Sequence, residues 1–121
     1  MHPYIICRET EKEVQEVRDH IWEHADMAAI EQQHRVFKGP DTMMQSHSQT
    51  RREVEDYLFL GTFQVFGTPE QVKDKLVRLH HAGVDGIHMV FLDWHNDLEF
   101  FCERVLPGLR TEIGDTCPIL P

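Results

Sequence analysis

Positive charge is scarce in this chain. Lys and Arg number 12 against 21 Asp and Glu in 121 residues, for a formal net charge of -9. That balance argues against nucleic acid or an anionic membrane surface as the main partner, since both reward clustered cations. Apolar runs of membrane-spanning length are lacking. Residues 1–15 hold no basic start followed by an apolar core, so no secretory signal is expected. Cysteine is sparse and odd in number: Cys7, Cys102 and Cys117 stand at unrelated spacings. A disulfide framework is not expected, and a reduced cytoplasmic compartment is. Repeats and low-complexity tracts are missing as well. What remains is ordinary for a globular chain, with 40% hydrophobic and 27% charged residues, and the length fits one domain or part of a larger one.

Short apolar runs alternate with helical patterns. Tyr4–Cys7 is a continuous apolar run and reads as a strand. Thr10 and Glu13 then stand in capping-box spacing, and Val14, Val17, Ile21 and Ala25 follow on one helical face. The pattern predicts a helix that continues through Ile30 to a stop at Gly39-Pro40. Residues 40–49, "PDTMMQSHSQ", are polar and aperiodic, hence a loop in which Met43-Met44 forms the tip. Thr50 and Glu53 repeat the box and open a shorter helix to about Leu60. Phe63–Phe66 is a second strand. In "FGTPEQVKDKL", Gly67 frees the backbone, Thr68 is the N-cap, Pro69 takes the first helical position and Gln71 closes the box. Val72, Leu76 and Leu79 make the buried stripe, and Gly83 is the stop. Ile87–Phe91 is a third strand. Asn96 and Glu99 are placed to cap a last helix with the stripe Leu98, Phe101, Cys102 and Val105, ended by Pro107. Residues 111–121 read as an irregular tail.

Strands alternating with helices argue for an α/β fold with about three parallel strands joined by helical crossovers. Continuously apolar strands belong in a sheet covered on both faces. The helices available suffice for one face, or are divided between two. A three-stranded sheet with a bare apolar face and open edges calls for something more to cover it: a partner chain in a homo-oligomer, or a missing N-terminal portion.

Residues 65–110, with the "GTPEQV" turn, the "AGVDG" before a strand and the "DLEFFCERVLP" helix, resemble the C-terminal end of the bacterial luciferase-like, reduced-FMN-dependent monooxygenases. Residues 2–15, "HPYIICRETEKEVQ", resemble the strand and helix before that family's insertion segment. "ADMAA" after them is similar to the branch acting on dimethyl sulfone or on pyrimidines. The resemblance implies a (β/α)8 TIM barrel, which needs about 250 residues. Residues 1–110 would then be a partial domain, the last three strand–helix units, with the lid insertion at about 40–60. It also implies a small organic substrate, with organosulfur compounds among the candidates, receiving one oxygen atom, reduced FMN as cofactor, and a flavin reductase as partner. A chain lacking most of the barrel is expected to be inactive alone. The alternative from another class is a non-catalytic small α/β module that homodimerises through its exposed sheet face.

Candidate site residues follow from position. Barrels often bind phosphate after strands seven and eight, and Gly67 lies after the strand that would be the seventh. With the box closed and Pro69 lacking a donor, capping is the better reading of that turn, and the resemblance places the flavin phosphate mostly on upstream segments. Arg8, at the end of the first strand, can face flavin or pair with Glu9 or Glu11. Arg51 and Arg52 lie in the lid segment, where an Arg fork suits phosphate; the competing reading is a basic pair beside Glu53 and Glu55. Phe91 and Asp93 are candidates to line a barrel mouth. His88, Asp93 and His95 invite a metal reading, but their spacing is not that of a usual site, and no metal centre is assigned. Cys7, Cys102, Trp22 and Trp94 are expected to serve packing.

Overall fold

The computed structural model describes residues 1–38, 54–55, 58–59 and 62–114. The expected loop at 40–49, the Thr50–Glu53 box, Arg51, Arg52 and the tail beyond Gly114 lie outside the described residues. The chain divides into two compact units, Met1–Glu16 with Phe63–Pro121, and Val17–Thr62.

The first unit is built on three parallel strands, β1 (Pro3–Cys7), β2 (Phe63–Gly67) and β3 (Val90–Phe91). Around them run α1 (Glu11–Glu23), whose first turns belong to this unit, α3 (Pro69–His81), α4 (Trp94–Arg104) and α5 (Leu106–Ile113). Strand order is β2-β1-β3, with β1 in the centre. The α/β class and the three parallel strands are as expected. The order differs from that of three successive barrel units, where neighbours in sequence are neighbours in the sheet. Here the third strand pairs with the first.

Period-2 alternation sorts the side chains into two faces. Ile5, Cys7 and Val65 point to one side, where Val72 and Leu76 of α3, Phe101 of α4, Val105 and Leu109 meet them with Phe91 in one buried cluster. Three helices therefore cover a single face. Tyr4 and Ile6 belong to the other face, and they are also buried, at 8% and 0% exposure. Tyr4 sets its ring edge-to-face on Phe66 at 6.4 Å, an arrangement aromatic pairs favour.

Helix α3 begins as its residues dictate. Thr68 N–H donates to Gln71 Oε1 at 3.0 Å and Gln71 N–H donates to Thr68 Oγ1 at 3.5 Å, a complete capping box with Pro69 at the first helical position. Gly67 is required for it. A Cβ there would stand 2.6 Å from Gln71 Oε1 and 2.8 Å from Gln71 Cβ.

Five expectations need correction. The last helix starts at Trp94 rather than after Asn96, because Asp93 takes the N-cap: its Oδ1 accepts from Asn96 N–H at 3.2 Å. Its buried stripe is Asp97, Phe101 and Val105, and Leu98 and Cys102 are exposed. Pro107 does not end the helical course. The chain kinks at Val105 and resumes as α5, where Pro107 occupies a first-turn position that needs no N–H. Residues 111–113, expected to be irregular, are helical. The third strand is shorter than Ile87–Phe91, with only Val90 and Phe91 in the ladder.

In the second unit, the single helix expected from Glu11 towards Gly39 is two. Helix α1 ends at Glu23, and α2 runs Met27–Lys38. Asp26 makes the break, its Oδ1 accepting from Ala29 N–H at 3.0 Å as a cap. Arg18 pairs with the buried Glu55 at 2.9 Å. Ile30, Val54 and Phe59 are buried. Among the described residues no helix is long and apolar enough to cross a membrane.

Candidate functional site

In open α/β sheets ligands bind beyond the C-terminal ends of the strands, where neighbouring strands lead their chains to opposite sides. Order β2-β1-β3 puts such a point beside β1. The residues there are Arg8 and Glu9 after β1, Gly67 and Thr68 after β2, and Leu92 and Asp93 after β3. This rim is the candidate site.

Arg8 lies at its centre. The Arg8 N–H extends the β1–β2 ladder to Gly67 O at 3.2 Å. Its guanidinium Nη1 donates to Cys7 O at 2.8 Å and pairs with Asp97 Oδ1 at 2.8 Å. The Asp97 side chain is 7% exposed. Its second oxygen accepts from Asp93 N–H at 3.1 Å, so the carboxylate ties α4 to β1 and closes the start of α4 together. Burial raises the Tyr4 hydroxyl above its ordinary range, with the negative charge of Asp97 adding to the shift. Burial likewise pushes the Cys7 thiol up to about 11. Cys7 is therefore a neutral core thiol at neutral pH, not a nucleophile.

Around this pair the rim closes on itself. Arg104 of α4 donates through both terminal nitrogens to the Glu9 carboxylate, one of them at 2.9 Å. Gln71 Nε2 donates to Glu11 Oε1. Thr10 and Glu13 form the expected box at the start of α1, each bond 3.2 Å. Asp93 Oδ2 accepts from Asn96 Nδ2 at 2.6 Å, and the two bonds from Asn96, side chain first, hold the Asp93 carboxyl below its usual range. Three helix N-termini, those of α1, α3 and α4, face this end. A helix N-terminus attracts anions through free N–H groups, and each of these is capped by the chain's own oxygens.

The site residues expected from sequence fare differently. Arg8 is on the rim, in an ion pair with Asp97 rather than with Glu9 or Glu11. Asp93 is on the rim as a helix cap. Phe91 is 4% exposed and packs edge-to-face on Trp94 at 5.4 Å and Phe101 at 5.8 Å, inside the core. Trp94 itself is 52% exposed. His88, Asp93 and His95 are not gathered: among the described residues no three His, Cys, Asp or Glu side chains come together to hold a metal. Asp97 was not singled out from sequence. The available signal was an acidic residue on the apolar side of the last helix, five positions before Cys102.

Tested against a flavin mononucleotide, the described residues do not make a site on their own. The phosphate would need free N–H groups or an unpaired cation. Here each helix start already donates to its own cap residue and Arg8 is balanced by Asp97. The rim as described is a structural network that positions strand ends.

No family model matches the chain, and no solved structure matches it. Two curated proteins are similar to it: the FMNH2-dependent dimethylsulfone monooxygenases of Pseudomonas fluorescens (strain Pf0-1) and of Pseudomonas putida. Each is 28% identical over 115 residues, which is 91% of this chain. The chain spans 32% of the length of either relative. It is thus distantly related, along most of its own length, to about one third of a flavin-dependent monooxygenase.

Proposed function

We propose that this chain is part of a reduced-FMN-dependent monooxygenase of the luciferase-like type, acting on a small organosulfur compound, and that it is inactive alone. The observation that carries the reading is the similarity over 91% of the chain to enzymes three times its length. The rim agrees with the second half of the reading. Among the described residues its helix starts and its central cation have partners within the chain, which points to groups outside them for holding flavin and substrate. The strand order fits the same account. In a complete barrel β3 would lie beside β2, and the other edge of β1 would receive a preceding strand. In this chain β3 lies instead along that other edge of β1, through two residue pairs. No step of the oxygen transfer is assigned to residues of this chain. A flavin reductase would supply the reduced cofactor.

Two experiments test this. The chain alone, with FMN, a flavin reductase and dimethyl sulfone, is expected to bind no flavin in a fluorescence titration and to consume no substrate. Turnover by the chain alone would refute its inactivity. A chimera placing residues 1–121 behind the upstream two thirds of the Pseudomonas putida enzyme is expected to bind FMN. A folded chimera that binds none would refute the family reading.

A further inference from the structure

His2 and His88 are 86 positions apart in sequence, and their Nδ1 atoms are 3.2 Å apart. The backbone brings them together. Tyr4 pairs with Val90 in the β1–β3 register, and the same register carried two residues back sets His2 opposite His88. His88 N–H donates to Met1 O at 3.0 Å, which holds the two segments at that spacing. The ring centroids are 5.2 Å apart and the planes are at 84°. Both residues are exposed, at the end of the sheet opposite the Arg8 rim.

A neutral imidazole has one N–H and one lone pair. A hydrogen bond between two Nδ1 atoms requires one ring to carry its proton on Nδ1. Two lone pairs meeting at this distance serve one cation instead. Tetrahedral zinc with Zn–N near 2.0–2.1 Å sets its ligand nitrogens about 3.3 Å apart, and a square-planar ion of similar bond length sets neighbouring ones about 2.9 Å apart. The observed spacing lies between the two. We propose that His2 and His88 chelate a divalent cation of the zinc, copper or nickel class through both Nδ1 atoms. Imidazole suits these ions, and water completes the coordination, since no third protein ligand gathers there among the described residues. Such a site is open and exchangeable. It joins β1 to the segment before β3 where the ladder is only two pairs long, so the bound ion also pins that edge.

The test is a zinc titration of the full chain, read by melting temperature and by isothermal calorimetry. The wild-type chain is expected to bind zinc and to melt higher with it. His88→Ala and His2→Ala are each expected to weaken binding about tenfold or more and to remove the thermal shift. His95→Ala, an exposed histidine outside the His2–His88 pair, is expected to leave both unchanged. His2 is exposed near the first strand's start, so its variant keeps the test open even where His88→Ala does not fold. Zinc binding by both variants equal to wild type would overturn the proposal, as would a wild-type chain with no thermal shift at millimolar zinc.

Discussion

The two edges of β1 are built differently. Along one edge β2 runs in register for five residue pairs, from Pro3 opposite Phe63 to Cys7 opposite Gly67, and Arg8 N–H adds a further backbone bond. Along the other, β3 contributes two pairs, Tyr4 with Val90 and Ile5 with Phe91. Both edges share the same buried cluster, so apolar packing does not distinguish them. The difference lies in what replaces the missing ladder. On the β3 side, side chains of α4 reach back to the chain after β1: Asp97 to Arg8, and Arg104 to Glu9. One edge is held by a long main-chain ladder, and the other by a shorter ladder supplemented with ion pairs. Main-chain ladders are insensitive to single side-chain changes, whereas an ion pair with one buried member is not, because the surviving charge is stranded. The β3 edge is therefore the part of the sheet that mutation should loosen selectively.

The largest effect expected is on the strand both edges share. Ile5→Ala removes a fully buried side chain at the centre of the cluster. It should cost about 3–4 kcal/mol in urea unfolding and weaken both edges together. Next is Arg8→Ala, which leaves Asp97 buried without its cation. A loss of about 2–3 kcal/mol is expected, with amide exchange accelerated at Val90 and Phe91 and little changed at Val65. Equal acceleration at both edges would show that the ion pair does not distinguish them. Gly67→Ala probes the β2 edge. Its new Cβ would collide with Gln71, and opening the capping box should cost about 1–2 kcal/mol.

The features legible in the sequence are those written locally. The β2–α3 turn could be read residue by residue, because Gly67, Thr68, Pro69 and Gln71 define their geometry within five positions. Strand β1 and the Thr10–Glu13 box were legible for the same reason. Where two local signals competed, the reading failed. Asp93–Asn96 and Asn96–Glu99 both have cap spacing, and the first prevails because Asp97, paired with Arg8, closes the turn from below. Asp26 broke the long helix although the apolar pattern ran through it. A side-chain cap outweighs continuity of a stripe when no buried partner demands that stripe, and Val14 is the one buried residue of α1. The contacts between Arg8 and Asp97, Arg104 and Glu9, and His2 and His88 were not legible at all. They depend on β3 lying beside β1, and strand order is set by which edges are free rather than by any short motif.

The smallest effect expected concerns Asp93, whose carboxyl is held below its ordinary value of 3.8 by bonds from Asn96. A depressed carboxylate adds stability above its unfolded value, and that stability is lost as pH falls through the folded one. The cap at the start of α4 should therefore persist at neutral pH and weaken only below about pH 4, near the ordinary aspartate value. Asp93→Asn retains an oxygen that can accept from Asn96 N–H, so it should keep most of the cap while removing this dependence on acid. Urea midpoints for wild type and Asp93→Asn, measured from pH 6 down to pH 3, should run parallel at first and converge in acid as the wild type alone loses its carboxylate. Parallel curves over the whole range would mean that the Asp93 charge contributes nothing to the α4 start. The β3 edge would then rest on Asp97 and Arg104 alone.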